Sequence, residues 1–226
     1  MSTHHAYFSR LQAALQAEGE LLPRLIVDLD RLDHNIDQAV AFAARTGKAL
    51  RLVEKSLPSF QLLDYIARRA GTRRLMSFHQ PFLNLDAQHW PDADILLGKP
   101  MPVALAGRFY EQHSGPFDPQ RQLQWLIDTP ERLQQYLALA QRRGTRLNIN
   151  LELDVGLHCG GIPEGEAGAG MLRAMLRLLA QHPQHLRFTG FMGYEPHVAM
   201  LPRLFGAPER LLAQAMATYQ ARVEQV

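Results

Sequence analysis

The stretch Arg146-Leu-Asn-Ile-Asn-Leu-Glu-Leu-Asp-Val-Gly156 lies in the second half of the chain and alternates apolar with polar residues. Side chains alternate between the two faces of a strand, so the two kinds of residue are predicted to separate onto opposite faces. The apolar face carries Leu147, Ile149, Leu151, Leu153 and Val155, and the polar face carries Asn148, Asn150, Glu152 and Asp154. Strand-then-helix units flank this stretch, which favours a parallel sheet with helices on its outer face.

The polar face of this strand indicates a barrel interior. Burying several polar groups costs free energy unless they are paired or bind a ligand. The strand also ends in the loop 156–161, Gly-Leu-His-Cys-Gly-Gly, at its carboxyl end, where barrel enzymes place their active sites. An exposed edge strand would show the same alternation, and the pattern alone leaves that alternative open.

Composition bounds the class of protein. Apolar residues make up 46% of the 226 residues and charged residues 20%, as in ordinary globular proteins. A formal net charge of +2 argues against nucleic-acid binding, and no apolar run reaches membrane-spanning length. The single cysteine, Cys159, rules out an internal disulfide and fits a reducing compartment. We therefore expect a cytoplasmic protein that binds neither nucleic acid nor membrane.

Seven predicted strands alternate with helices along the chain. The strands are 25–29, 50–55, 74–78, 93–97, 123–127, 146–156 and 186–192. The helices begin with Asp30 as a cap, at Pro58, at Pro100, after the Thr129 cap, at Met171 following a Gly-rich linker, and at Pro208, the last one running to Val226.

This order predicts an α/β fold, a (β/α)8 TIM-type barrel, with a doubly wound open sheet as the alternative. An eighth strand is needed after the last helix, so we expect the sequence to be part of a longer barrel that a β domain follows. Residues 1–22 are predicted to form a helical extension and residues 23–226 the barrel.

Two single residues at the ends of predicted strands are candidates for catalysis or cofactor binding. Lys55 ends the second strand, where a partly desolvated lysine can act as an amine nucleophile and form a Schiff base. A surface lysine is the alternative. His79 ends the third strand, where an imidazole can donate a hydrogen bond or stack on a planar cofactor. A structural histidine is the alternative there.

Two further candidates are groups of residues at strand ends. Tyr194, Glu195 and His197 follow the seventh strand and together supply an acid, a base and hydrogen-bond donors. Asp154 and His158 lie where the central strand meets its loop. The chain contains no phosphate-binding loop of the Walker type, no dinucleotide fingerprint after the first strand and no Cys-x-x-Cys pair.

These residues, in this order, resemble the fold-type III pyridoxal-phosphate enzymes, especially the D-threonine aldolase and D-serine dehydratase branch of the alanine racemase-like barrels. The resemblance covers most of residues 22–200. It rests on the stretch 23–36 at the first strand, Lys55, the stretch 94–98, Glu152-Leu-Asp-Val-Gly-Leu-His158, and Gly190-Phe-Met-Gly-Tyr-Glu-Pro-His197.

The resemblance implies that Lys55 carries pyridoxal 5'-phosphate as a Schiff base and that the cofactor ring serves as an electron sink. It implies that His197 helps to remove the proton of a substrate hydroxyl. The other implied cofactor-binding residues are His79, Asp154, His158 and Tyr194. In this chain Cys159 stands where the family usually has an arginine next to the cofactor ring, and none of the residues is assigned to a metal.

The function that the resemblance implies is a lyase acting on a small D-3-hydroxy amino acid, by aldol cleavage or dehydration. A homodimer and a divalent metal in a full-length form are implied as well. An amino-acid racemase and a non-catalytic pyridoxal-phosphate carrier are the alternatives that keep the cofactor. A barrel enzyme without cofactor, using His197 and Glu195 as acid and base, is the third hypothesis.

Overall fold

The computed structural model describes residues 3–19, 22–200 and 206–225, and Val226 lies outside them. The helices are α1 (Thr3–Ala17), α2 (Leu29–Arg45), α3 (Phe60–Ala70), α4 (Gln80–His89), α5 (Val103–Gln112), α6 (Pro119–Gln122), α7 (Pro130–Arg143), α8 (Gly165–Gln181), α9 (His197–Met200) and α10 (Pro208–Val223). The strands are β1 (Leu52–Val53), β2 (Arg74–Ser77), β3 (Asp94–Leu97), β4 (Leu123–Ile127), β5 (Leu147–Leu153) and β6 (Leu186–Gly193). None of the described helices combines the length and the apolar character needed to cross a membrane.

The described strands form one parallel sheet in the order β1-β2-β3-β4-β5-β6. At least one helix connects each strand to the next, and every neighbouring pair is parallel. All the carboxyl ends therefore lie along one edge of the sheet. This alternation confirms the predicted α/β fold class, although hydrogen bonds do not close the described strands into a ring.

Aromatic residues fill the core between the sheet and its helices. Trp125 of β4, Phe109 of α5 and Tyr136 of α7 are each completely buried. The Trp125 and Tyr136 rings meet with centroids 5.5 Å apart, and the Tyr136 hydroxyl donates a hydrogen bond to the carbonyl of Met101 at 2.9 Å. Such close-packed cores are stiff, so the helices hold the strand ends in fixed positions.

The polar face of β5 is buried, as the sequence predicted, because every residue of 147–153 is buried. A chain of hydrogen bonds crosses this inner face. Arg51, just before β1, donates to Asp94 at 2.9 Å, and Gln124 donates to the same carboxylate oxygen at 2.8 Å. Asn150 of β5 donates to Gln124 at 3.4 Å. These bonds offset much of the cost of burying polar groups inside the sheet.

The predicted first strand, 25–29, is wrong. Residues 23–28 have no regular structure and Leu29 already belongs to α2. Leu25 is fully exposed, at 104% relative accessibility, and none of the described strands pairs with this segment. Apolar residues form a strand only where a neighbour accepts the ladder hydrogen bonds. The predicted cap is wrong as well, because Asp28 accepts from the Arg31 amide at 3.1 Å.

The predicted second strand, 50–55, is shorter in the structure. Only Leu52–Val53 pair with β2, and Glu54–Ser56 form a 3₁₀ turn. The Leu57 amide closes this turn on the Glu54 carbonyl at 2.8 Å. Lys55 therefore lies on a turn beyond the strand.

Helix α8 begins at Gly165, six residues before the predicted start at Met171. Arg222 of α10 donates to the Pro163 carbonyl at 3.0 Å and to the Gly165 carbonyl at 2.8 Å. This contact between distant parts of the chain anchors the glycine-rich first turns, whose composition indicates a linker when read alone.

Gly168→Ala is expected to destabilise the protein by about 1–3 kcal/mol, the usual cost of overpacking. A Cβ at Gly168 would lie 1.7 Å from the Pro163 carbonyl oxygen, which is backbone and cannot rotate away. Gly170→Ala in the same helix is the matched control, since nothing lies within 4 Å of its Cβ position. Chemical denaturation of the two variants checks this, and equal stability would contradict it.

Candidate active site

A cavity of about 370 Å³ opens at the carboxyl edge of the sheet. Lys55 after β1, Phe78 after β2, Lys99 after β3 and Tyr194 after β6 all line it. Because β1 and β6 are the two outer strands of the sheet and yet share one cavity, the sheet must curve strongly, as barrel sheets do. The volume lies within the range of about 300–1,000 Å³ that is typical of small-molecule sites.

Lys55 and Phe78 form the best-defined contact in this cavity. The Lys55 Nζ lies 3.9 Å from the centre of the Phe78 ring, a cation–π contact. Phe78 reaches this position because residue 98 is glycine. A Cβ at Gly98 would lie 2.3 Å from the Phe78 Cζ and 2.8 Å from the Met76 Cγ. The missing side chain thus makes room for the aromatic wall beside the Lys55 amine.

A buried carboxyl pair lies behind the turn that carries Lys55. Glu54 is only 5% exposed, and its Oε1 accepts a hydrogen bond from Ser77 at 2.9 Å. Asp86 of α4 is completely buried, and its oxygens make no hydrogen bond of ordinary geometry within the described residues. Burial, followed by the nearby Glu54 carboxyl, raises the pKa of Asp86 to about 9. Asp86 therefore keeps its proton at neutral pH.

The loop after β5 is organised by Asp154. This carboxylate accepts hydrogen bonds from the Gly156 amide at 2.9 Å, the His158 amide at 3.0 Å and the His158 Nδ1 at 2.8 Å. Burial acts to raise the pKa of Asp154, but the hydrogen bonds from His158 and Gly156 outweigh it and lower the pKa. His158 adopts a left-handed φ of 55°, and its ring is 75% exposed. Asp154 thus orients an imidazole whose other nitrogen is free to act on a ligand.

Glu152 lies on the inner face of β5, two residues before Asp154. It is 3% exposed, and its Oε2 has no hydrogen-bond partner in the described part of the chain. Burial raises the pKa of Glu152, while the positive charge of Lys99 acts in the opposite direction. A Cβ at Gly160 would lie 3.7 Å from the Glu152 Oε2, so the glycine-rich loop covers this carboxyl closely.

His197 belongs to the same neighbourhood as the β5 loop. It is 8% exposed, and its Nδ1 has no hydrogen-bond partner among the described residues. A Cβ at Gly156 would lie 3.7 Å from the His197 Nε2, so the ring packs on the loop that Asp154 organises. Buried imidazole nitrogens without a partner are unusual and mark candidate functional groups.

The structure brings the predicted residues into two adjoining groups. Lys55 and Tyr194 line the cavity, whereas Asp154, His158 and His197 meet at the β5 loop. His79 joins neither group through a described contact. It is exposed and its ring meets Phe82 edge-on at 4.3 Å.

Three residues in or near the Lys55 cavity were not predicted from the sequence. Lys99 lies two residues beyond a predicted strand, near its carboxyl end, and this position is the signal by which the sequence could have identified it. Glu54 and Asp86 come together only through the packing of α4 on the sheet. Within residues 3–19, 22–200 and 206–225, no group of three or more histidine, cysteine, aspartate or glutamate residues could hold a metal ion.

Asp154→Asn is expected to destabilise the protein by about 1–3 kcal/mol at neutral pH, because an ionised acceptor of three hydrogen bonds is lost. The folded state depresses the pKa of Asp154, so its contribution is present above the unfolded pKa of about 3.9 and is lost as the pH falls through the folded value. Denaturation curves at neutral and acidic pH check this. Asp92→Asn is the control, since Asp92 is 65% exposed, and equal losses in both variants would contradict the assignment.

The fold and the site together define a parallel α/β barrel-type domain with a lysine in a cavity at the carboxyl edge of its strands. The family profile described as "Alanine racemase, N-terminal domain" matches residues 27–225. The chain therefore belongs to this family, whose members depend on pyridoxal phosphate. No curated protein sequence matches the chain significantly.

Solved structures share this fold. D-threo-3-hydroxyaspartate dehydratase from Delftia sp. HT23 superposes with a TM-score of 0.68 at 21% identity, covering 88% of this chain and 48% of its own. Alanine racemase from Oenococcus oeni gives 0.63 at 16% identity, covering 83% and 49%. Histidine racemase from Leuconostoc mesenteroides subsp. sake NBRC 102480 gives 0.61 at 13% identity, covering 83% and 45%. The chain thus spans about half the length of the structures that it matches.

Proposed function

We propose that the chain forms the cofactor-binding barrel of a pyridoxal-phosphate-dependent lyase that acts on a D-3-hydroxy amino acid. The observation that carries this proposal is the Lys55 amine, which rests on Phe78 in a cavity at the carboxyl edge of the sheet. The cavity fits the cofactor, because it combines an amine, an aromatic wall, the Tyr194 hydroxyl and a suitable volume. The fold similarity to a hydroxyaspartate dehydratase supports a lyase.

Each residue of the site has a separate task in this proposal. Lys55 would hold the cofactor through its Nζ, and Phe78 shields one side of that amine from water. When bound, the cofactor would supply an electrophilic carbon and an electron-withdrawing ring. Tyr194, half exposed at the cavity, donates a hydrogen bond to the bound ligand. His197 accepts the proton of the substrate hydroxyl on a ring nitrogen.

Racemisation of an amino acid is the second candidate, because two of the three structures compared above are racemases. The two candidates differ in the bond that breaks, so the products separate them. Incubation with D-threonine and D-serine would release an aldehyde, or ammonia with a 2-oxo acid, from a lyase. A racemase would invert only the α-carbon, which gives L-serine from D-serine and L-allo-threonine from D-threonine. The divalent metal and the homodimer implied by the resemblance remain predictions.

Reductive trapping tests the proposal directly. The chain is incubated with pyridoxal phosphate, reduced with borohydride, digested and mapped by mass spectrometry. Its three lysines, Lys48, Lys55 and Lys99, and the α-amino group of the chain are then the possible labelled sites. We expect the label at Lys55. Labelling that is equal at all three lysines would show non-specific reaction and would overturn the proposal.

A further inference from the structure

Lys99 is a second lysine in the Lys55 cavity, and neither the sequence motifs nor the proposed reaction assigns it a role. It follows Gly98 at the end of β3, and its side chain is exposed to the cavity. Two of the three lysines in the sequence thus line one cavity. The other residues that line it are apolar or neutral, and none is aspartate or glutamate.

The charge of Lys99 has no close counter-ion. Within the described residues, it forms no ion pair and donates no hydrogen bond from its side chain. Glu152 is near enough for the positive charge of Lys99 to act on it. Burial raises the pKa of Glu152, however, and so weakens its carboxyl group as a counter-ion for Lys99. A cationic cavity with partly apolar walls attracts anions more strongly than an open surface does.

The positions of the two lysines are linked through Phe78. The Lys55 Nζ lies over the face of the Phe78 ring. The same ring packs so closely on Gly98 that no side chain fits at position 98. The backbone next to Lys99 is therefore held against the wall that holds Lys55. A ligand that reacts at Lys55 therefore meets a second lysine in the same cavity, whose backbone lies against the Phe78 wall.

We propose that Lys99 binds an oxyanion, phosphate or carboxylate, of the ligand that reacts at Lys55. This inference rests on the proposed function and deepens it, because it assigns the ligand a charged group in addition to its reactive carbonyl or amine. The oxyanion comes either from the phosphate of the cofactor or from a side-chain carboxylate of the amino-acid substrate. Both sources offer the same hydrogen-bond acceptors to an ammonium group.

The test compares ligands with and without the oxyanion in the native chain, Lys99→Gln and the control Lys48→Gln. Lys48 is exposed and directly follows the turn after α2, outside the cavity lining. The concentrations of pyridoxal phosphate and of pyridoxal that half-label Lys55 are measured by reductive trapping. If Lys99 binds the phosphate, its loss lowers the preference for pyridoxal phosphate by about tenfold or more, as for a lost charged hydrogen bond.

A second arm identifies a carboxylate as the source. D-aspartate and D-alanine are compared as ligands that protect Lys55 from labelling by pyridoxal. If Lys99 binds a side-chain carboxylate, Lys99→Gln loses the advantage of D-aspartate by about the same factor. Unchanged ratios in both arms would overturn the assignment, provided that Lys48→Gln behaves as the native chain does.

Failure of the proposed function gives a different result. In that case neither compound labels Lys55 selectively in the native chain. Calorimetric titration with inorganic phosphate then still decides the role of Lys99. Binding by the native chain that Lys99→Gln loses would support the oxyanion assignment, and no binding by the native chain would refute it.

Discussion

Lys55→Ala is expected to abolish covalent attachment of pyridoxal phosphate. The visible absorbance band of the lysine-linked cofactor and the borohydride-trapped peptide should both disappear. Within the described structure, no other lysine amine lies over the face of an aromatic ring as the Lys55 Nζ does. Stability should change by no more than about 0.5 kcal/mol, since Lys55 is exposed and its cation–π contact is weak. Absorbance spectra, peptide mapping and denaturation curves measure these effects.

Lys48→Ala serves as the matched control, since it removes an exposed lysine outside the cavity lining and should leave the band intact. A trapped label that moves to Lys99 in Lys55→Ala would show that the cavity binds the cofactor without a unique amine. An unchanged band would assign the reaction to another lysine and refute the role of Lys55.

Asp86→Asn is expected to stabilise the protein at alkaline pH. The folded state raises the pKa of Asp86 to about 9, so the folded protein holds a proton that the unfolded chain releases above its pKa of about 3.9. Stability from this group is therefore present at low pH and falls as the pH rises towards 9, by up to about 1.4 kcal/mol per pH unit. Asparagine has no such proton to lose.

Denaturation curves at several pH values check this second prediction. The difference between Asp86→Asn and the native chain should grow by roughly 2–4 kcal/mol between about pH 5 and about pH 8. Glu111→Gln is the control, because Glu111 is exposed on α5 and should leave the pH dependence unchanged. A difference between the two proteins that stays constant over this range would show that Asp86 is ionised in the folded state.

Periodic patterns predicted the interior of the fold well. The alternation along 146–156 gave the correct inner and outer faces of β5, and the apolar run 123–127 corresponds to β4 without any shift. These elements are decided locally, because the side-chain period of a strand follows from its backbone geometry. The Thr129 cap and the Pro130 start of α7 were predictable for the same reason.

Elements that depend on distant partners were predicted less well. Residues 25–29 have the composition of a strand, but no described strand pairs with them. The glycine-rich start of α8 has the composition of a linker, but Arg222 anchors it from the far end of the chain. In both cases the outcome depends on whether residues that are far apart in sequence form hydrogen bonds with each other, as at α8, or do not, as at 25–29. Local propensity does not report such bonds.

The candidate site divides in the same way. The sequence by itself determined which residues lie at the carboxyl ends of strands, and this position singled out Lys55, Asp154 and Tyr194. Only the tertiary structure decided which of them share a cavity, because the curvature of the sheet brings the end of β6 to the end of β1. It also paired Glu54 with Asp86, since burial and proximity arise only when α4 packs on the sheet.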